Sequence, residues 1–319
     1  MRNPSKKRCI FCLEEKPLSD FTEEHVFPYA IGGSFVIHDV CKDCNSYLGT
    51  AIDAKLTDHI FVQFPRHLLR IAGKDGRIPN PIGKGLYGGD PSRIMYYDFD
   101  LKGDNKDLYI TPKIEVTEKG NELRVHIEAH EKDRESLPEI VNKILERRGL
   151  EPLDNDSIFD MIDTATEEHP SMTIQYQVGI YDHIQPMFKI AYELGYYWLG
   201  QDFLSDETAR KIRETVLERE IDIERLESLK IRGNFSLTDE MELVDFWDDF
   251  PNYHFAILTG NADVIGIQLR VFDVFGGTIA ISENAGKYGF SGNRFLVLNP
   301  EARIFREGTL EDFWDNWAV

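Results

Sequence analysis

The sequence predicts an α+β protein in two parts, a small cysteine-stapled module at the N-terminus and a larger mixed α+β domain behind it. Three observations predict this. All four cysteines lie within the first 44 residues, as two Cys-x-x-Cys pairs. Residues 73–91, "GKDGRIPNPIGKGLYGGDP", are dense in Gly and Pro and follow neither a helical nor a strand period, which marks a boundary. Beyond it, strand-like and helix-like apolar patterns succeed one another with no internal repeat, heptads or low-complexity tract. The expected division is 1–72 for the module, 73–93 for a linker and 94–319 for the α+β domain.

Size and charge narrow the class. A chain of 319 residues, 42% hydrophobic and 12% aromatic, can bury a substantial core. The net charge of −20 argues against a polyanionic partner for the chain as a whole. Residues 1–66, however, carry eight basic and nine acidic side chains, so nearly all of the excess lies further on, and "KKR" (Lys6, Lys7, Arg8) leads into the first Cys pair. The start has no apolar signal core, and no run reaches the ~18 apolar residues of a membrane span. Two thiol pairs in such a chain read as a metal site in a reducing compartment, which makes the expected location cytoplasmic, with no membrane.

Each element has its own signal. Cys9–Cys12 should form a tight knuckle, and residues 28–39 a short hairpin or loop around Gly32–Gly33. A helix over "NSYLGTAIDAKLTDHIF" follows from Leu48, Ile52, Leu56 and Ile60 at period four. Alternation predicts strands in "RIMYYDFD", "LYITPKIEV" and "ELRVHIEAH", and another in "SMTIQYQVGIY". Leu137, Ile140, Val141, Ile144 and Leu145 predict a helix that closes on Gly149. "QPMFKIAYELGYYWLG" and "SDETARKIRETVLEREI" predict two more, the second capped by Ser205. The last third returns to strands in "YHFAILT", "VIGIQLRVF", "GTIAIS" and "RFLVL", with a turn at Gly260–Asn261 and a short aromatic helix at the end.

The chemistry is concentrated in the module. Cys9, Cys12, Cys41 and Cys44 can place four thiolates tetrahedrally around one Zn²⁺ with no open position, which makes the site structural. An iron–sulfur cluster or a redox dithiol are the alternatives; two clean pairs that hold every cysteine favour zinc. Between the pairs lies "TEEHVFPYAIGG", with Glu24 and His25 side by side, and Asn45 follows the last cysteine. Taken singly, His25 is a loop residue with one hydrogen bond and Asn45 is a helix N-cap. Taken together, they are brought close by the zinc. Glu24 and Asn45 then offer hard oxygen ligands suited to Mg²⁺, while His25, on the other side of an extended strand, can face a water. Metal, water and base are what phosphodiester hydrolysis requires, and the start of an Asn45 helix would add a positive dipole end.

"CIFC", "EHVFP…GG" and "CKDCN…G" together resemble the zinc-stapled branch of the HNH, or ββα-metal, nuclease family, over about fifty residues ending in "CNSYLGTAID". The resemblance implies a ββα-metal module and an endonuclease that cuts DNA. His25 would be the general base, Glu24 and Asn45 the ligands of a catalytic Mg²⁺ or Mn²⁺, and the four cysteines the ligands of structural Zn²⁺. Two departures stand out. Glu replaces the more common Asp before the histidine, and the loop-bracing Asn ahead of the second Cys pair is missing, with His38 or Asp39 as stand-ins. The competing reading is a noncatalytic zinc module that binds nucleic acid or protein.

Other residues read as structural. Asp53, about 12 Å of helical rise from Asn45, is too far to share its metal and reads as a hydrogen-bond or salt-bridge partner. His59 and His67 read as solvated. His126 and His130 read as one face of a strand without a third ligand, "GKGLYGGD" lacks the ending of a phosphate loop, and "DEMELVDFWDDF" reads as a solvated acidic face. The acidic bulk fits a nuclease held off random DNA. Its action would then depend on a protein partner, an activating ligand or self-association through 94–319, as suits defence against foreign DNA.

Overall fold

The computed structural model describes residues 6–98, 107–120, 122–167, 169–179, 181–229, 231–237, 250–289, 292–309 and 312. Strands β1 (Lys6–Arg8) and β2 (Glu15–Pro17) form an antiparallel hairpin with the first Cys pair at its tip. Strand β3 (Glu24–His25) pairs antiparallel with β4 (Val36–Ile37), Glu24 opposite Ile37 and His25 opposite Val36. The connection runs from Pro28 through a 3₁₀ turn, Tyr29–Ile31, to Gly32 at a φ of +88°. A Cβ on Gly32 would lie 2.4 Å from the Pro300 carbonyl oxygen, and one on Gly33 would lie 1.8 Å from that of Phe27, so both positions require glycine.

The helix expected after the second Cys pair is present in pieces. Helix α1 (Lys42–Tyr47) passes through a π-helical turn, Leu48–Ile52, into α2 (Asp53–Thr57), and α3 (Ile60–Leu68) follows a break at Asp58–His59. Leu48, Ile52 and Leu56 are fully buried, so the apolar stripe is real. The extra residue of the π turn shifts its phase, and the extended backbone of His59 ends it. Asn45 is not the N-cap. Cys41 stands there, and the Asn45 N–H already bonds the Cys41 carbonyl, so the positive end of α1 sits at the cysteines.

The middle of the chain holds β5 (Lys84–Tyr87), β6 (Ile94–Asp98), β7 (Asp107–Ile110), β8 (Lys113–Lys119), β9 (Glu122–Glu128), α4 (Leu137–Glu146), α5 (Asn155–Asp160) and β10 (Met172–Thr173). They make a four-stranded sheet in the order β10-β5-β6-β7 and a separate β8–β9 hairpin. Gly149, with φ at +69°, lies just past α4 as expected. His130 falls outside the strand: its Nδ1 accepts from the Lys132 N–H at the start of a 3₁₀ turn, while His126 is exposed on β9.

Helices α6 (Ile184–Leu199), α7 (Glu207–Leu217) and α8 (Ile223–Leu229) come next, then β11 (Gly233–Leu237), β12 (His254–Gly260), β13 (Ile265–Val271), β14 (Phe275–Ser282), β15 (Arg294–Asn299) and β16 (Ile304–Thr309). The strands form one antiparallel sheet in the order β11-β14-β13-β12-β15-β16. The cap of α7 is Asp206, whose carboxylate takes the N–H groups of Thr208 and Ala209, and not Ser205. Helix α6 is buried from Ile184 to Gly195, apolar on nearly every side, and packs on β13, β14 and α7. The acidic stretch 239–249 and the expected terminal helix lie outside the described residues.

The chain divides otherwise than expected. One compact unit joins Met1–Pro79 to Val178–Val319, and the other is Asn80–Gln177. The unit boundary at Pro79–Asn80 falls within the stretch 73–93, and that stretch contains β5. The reason lies in the core. Ile10, Phe11, Val26, Phe27, Leu48, Ile52 and Leu56 belong to one apolar cluster with Met187, Ile190, Leu194, Leu269 and Ile279. The cysteine module is too small to bury its apolar face alone and buries it on α6 and the sheet.

Candidate functional site

The cysteine cluster is built from the two expected knuckles. The chain turns back after Cys9, with the Cys9 N–H on the Glu14 carbonyl and Leu13 at a φ of +62°. The second pair occupies the first turn of α1. The four Sγ atoms lie within 4.8 Å of one another, and Cys12 and Cys41 are 3.9 Å apart at sulfur. A tetrahedron with Zn–S bonds of about 2.3 Å has edges of about 3.8 Å, so the cluster fits one zinc ion. All four cysteines are free thiols, two of them buried. Hydrogen bonds from Cys44 and from backbone N–H groups pull the Cys9 thiol down to about 4, against its burial. Burial pushes Cys12 up to about 11, and Cys44, bonded to Cys9 and half-buried, also rises. One thiolate is thus favoured at the expense of its neighbours, and a dication is what allows all four to ionise.

Asn45 is half-buried. Its amide nitrogen donates to the Thr22 hydroxyl at 3.0 Å and to the Glu23 carbonyl at 2.7 Å. Asn45 therefore braces the entry to β3, the task expected of His38 or Asp39. Asp39 instead takes the Tyr196 hydroxyl at 3.1 Å and Lys7 at 3.0 Å. With the nitrogen committed, the amide oxygen Oδ1 of Asn45 makes no hydrogen bond among the described residues.

Alternation along β3 buries Glu24, at 2% exposure, and leaves His25 half-buried. The His25 ring meets the Tyr29 ring edge-on, with centroids 5.3 Å apart, and neither ring nitrogen has a hydrogen-bond partner among the described residues. Burial first, and then the positive charges of Lys74 and Lys189, lower its pKa to about 4, so the imidazole is neutral at pH 7 and open to a proton.

Sequence reasoning missed the partner of Glu24. Lys189 of α6, fully buried, sets its Nζ 2.5 Å from Glu24 Oε1 and 3.4 Å from both Asp53 Oδ1 and Glu193 Oε2. The same ammonium donates to the His25 carbonyl at 2.7 Å. Burial opposes the charge on Lys189, but Asp53, Glu193 and Glu24 together hold its pKa above the ordinary lysine value. Burial lifts Asp53 to about 6, and it lifts Glu193 well above the carboxylate range. Asp53 is indeed a salt-bridge partner, and Glu24, 29 residues earlier, shares its ammonium. Nothing in the sequence marks Lys189 except its place on a helix otherwise rich in apolar residues.

The two histidines expected in solvent are buried, because α3 packs against the rest of its unit. The His59 ring meets Phe275 of β14 at 4.8 Å, and Nδ1 of His67 lies 2.8 Å from the Pro79 carbonyl. Among the described residues, the four cysteines are the one metal-competent group of His, Cys, Asp and Glu, and no helix is long and apolar enough to cross a membrane.

The knuckles, the Glu24–His25 strand between them and Asn45 after the last cysteine agree with one more finding: residues 9–61 match the family model described as HNH endonuclease. The similarity extends over that region alone, 53 of the 319 residues. Neither the curated proteins nor the solved structures provide a match to the chain. The HNH region thus ends before α3 is complete, and Lys189, Tyr192 and Tyr196, which hold it from α6, lie far outside.

Proposed function

We propose that the chain is a metal-dependent endonuclease that hydrolyses DNA phosphodiester bonds with His25 as general base. The observation that carries this reading is the half-buried imidazole of His25, with no hydrogen bond at either ring nitrogen among the described residues, held on a two-residue strand between the thiol pairs. A base of this kind takes the proton of an attacking water at a ring nitrogen. Glu24 and Asn45, the latter with its amide oxygen free, are the residues that would hold Mg²⁺ or Mn²⁺. When bound, such an ion supplies charge neutralisation at the phosphate oxygens. Lys189 fixes the strand at the His25 carbonyl, so α6 sets the direction of the base. The excess of 56 acidic over 36 basic residues restrains nonspecific attachment to DNA. Cutting would then depend on a partner, a ligand or self-association, a restraint that suits cytoplasmic defence against foreign DNA.

One observation favours a noncatalytic zinc module instead. The Lys189 ammonium satisfies Glu24 without a metal. Incubation with supercoiled plasmid and Mg²⁺, Mn²⁺ or chelator separates the two readings. The wild type should nick or linearise the plasmid only with added metal. His25→Ala should lose about 10²–10⁴-fold in rate with zinc content and melting unchanged. Equal cutting by both proteins removes His25 as the base, and no cutting by the wild type under any metal leaves the binding module.

A further inference from the structure

Tyr29 collects three side chains that the HNH region alone would not bring together. The His25 ring stands edge-on to it at 5.3 Å, the Arg303 guanidinium carbon lies 3.9 Å from its centroid, and Lys74 Nζ lies 5.7 Å from it. Arg303 comes from the turn between β15 and β16, and Lys74 from the turn after α3; both lie outside residues 9–61. The guanidinium is fixed. Its Nη1 donates to the Tyr29 carbonyl and its Nη2 to the Ala72 carbonyl, each at 2.8 Å. The remaining N–H groups make no hydrogen bond among the described residues, and Lys74 is exposed.

Neither cation forms an ion pair among the described residues, in a chain with 56 acidic side chains to choose from. Holding the fixed, half-buried guanidinium of Arg303 unneutralised near a half-buried imidazole has a cost that an anion would relieve. Stacking on Tyr29 orients Arg303 and leaves its free edge available, which is how a guanidinium is prepared for phosphate oxygens. Lys74 offers a second, mobile point charge on the same ring.

We propose that Lys74 and Arg303 form the seat for a phosphodiester of nucleic acid beside His25, so that the turn after α3 and the β15–β16 turn complete the binding site of the HNH region. The inference rests on the nuclease reading for its choice of ligand, and its test is independent of cleavage. Full-length His25→Ala protein, zinc-loaded, is titrated onto a fluorescent 20-base-pair DNA duplex at several salt concentrations. Each phosphate contact contributes about 0.9 to the slope of log affinity against log salt. Adding Lys74→Ala should reduce that slope by about 0.9, as should adding Arg303→Met. Lys74→Arg should keep the slope, and Arg303→Lys should keep the charge term while losing the bonds to Tyr29 and Ala72. Unchanged slopes in Lys74→Ala and Arg303→Met, or no binding by the parent protein, overturn the proposal. If the slopes fall while the wild type never cuts plasmid, the seat stands and the nuclease reading is lost. If the wild type cuts while the slopes stay fixed, the reverse holds.

Discussion

Two clusters hold the HNH region, and they are assembled in opposite ways. The cysteine cluster is local: four thiols within 36 residues, two turns and the start of a helix. The acid–lysine cluster is long-range: Glu24, Asp53, Lys189 and Glu193 meet only because α6 lies against the region. Both are sets of like groups that repel unless a cation stands among them. In the first the cation would be a metal from outside; in the second it is an ammonium grown on the chain. The difference teaches what each can be asked to do. A bound ion can be removed and replaced, and so its loss tests folding, whereas a covalent ammonium is fixed and tests orientation.

The largest effect should come from the metal. Structural zinc sites are worth roughly 10–16 kcal/mol in small modules. The purified protein should carry one zinc per chain, and Cys9→Ser or a strong chelator should abolish the cooperative melting of the unit formed by Met1–Pro79 and Val178–Val319. Ile10 and Phe11 of the first knuckle lie in the same core as α6, so loss should not stop at residue 61. Unchanged melting after complete zinc removal would sink the comparison at its first term.

Lys189 comes next. Removing one partner of a buried ion pair costs about 3–5 kcal/mol because the other charge is stranded. Lys189→Met should lower stability by that amount in urea titrations, with zinc retained. Adding Glu24→Gln should recover part of the loss, because the two side chains are coupled and their effects are not additive. Additive losses would mean that Glu24 does not depend on Lys189.

This contrast also explains what could be read from the sequence. Spacing alone grouped the four thiols and set Glu24 and His25 on an extended stretch between them, because a metal knuckle and a two-residue strand are local objects. The apolar stripe of Leu48, Ile52 and Leu56 was legible for the same reason. The place of Asn45 within α1 was not, since the N-cap duty falls to Cys41, four residues before the expected start. His59 and His67 looked solvated because what buries them is the surface α3 packs on, including Phe275, more than two hundred residues away from His59. Lys189 was out of reach on the same ground. Its meaning depends on Glu24, 165 residues earlier, and no local pattern joins them.

His254 gives a smaller and pH-dependent effect. It is fully buried on β12, its Nδ1 takes the Phe272 N–H at 3.1 Å, and its Nε2–H donates to the Ile31 carbonyl at 2.8 Å. The ring stacks on Phe27, two residues past His25. Burial lowers its pKa to about 4 from 6.5, so the unfolded chain protonates first as pH falls. Stability should fall between pH 6.5 and pH 4, by about 3 kcal/mol from this group when the window is complete. Asp53, lifted to about 6, acts in the opposite sense, because its proton is held more tightly in the fold. His254→Phe should be less stable at pH 7 and show a flatter decline over that window. A decline as steep as wild type would assign it to other groups, the zinc thiolates first among them.

The smallest effect sharpens the second cluster most. Glu193 is fully buried, and neither carboxylate oxygen has a hydrogen-bond partner among the described residues, although Oε2 lies 3.4 Å from Lys189. Burial and the neighbouring acids push its pKa well above the ordinary range, against the pull of Lys189, which favours the neutral acid in the fold. Lys189 is then balanced by Glu24 and Asp53. Glu193→Gln replaces one neutral polar group by another of similar shape and should change stability at pH 7 by less than about 1 kcal/mol. Glu24→Gln alone removes the nearest counter-charge of Lys189 and should cost several times more. Equal losses in the two variants would mean that Glu193 is ionised and that the ammonium serves three carboxylates at once. The strand of His25 would then be held by a charge that α6 supplies and by an acid on the same helix, one turn further on.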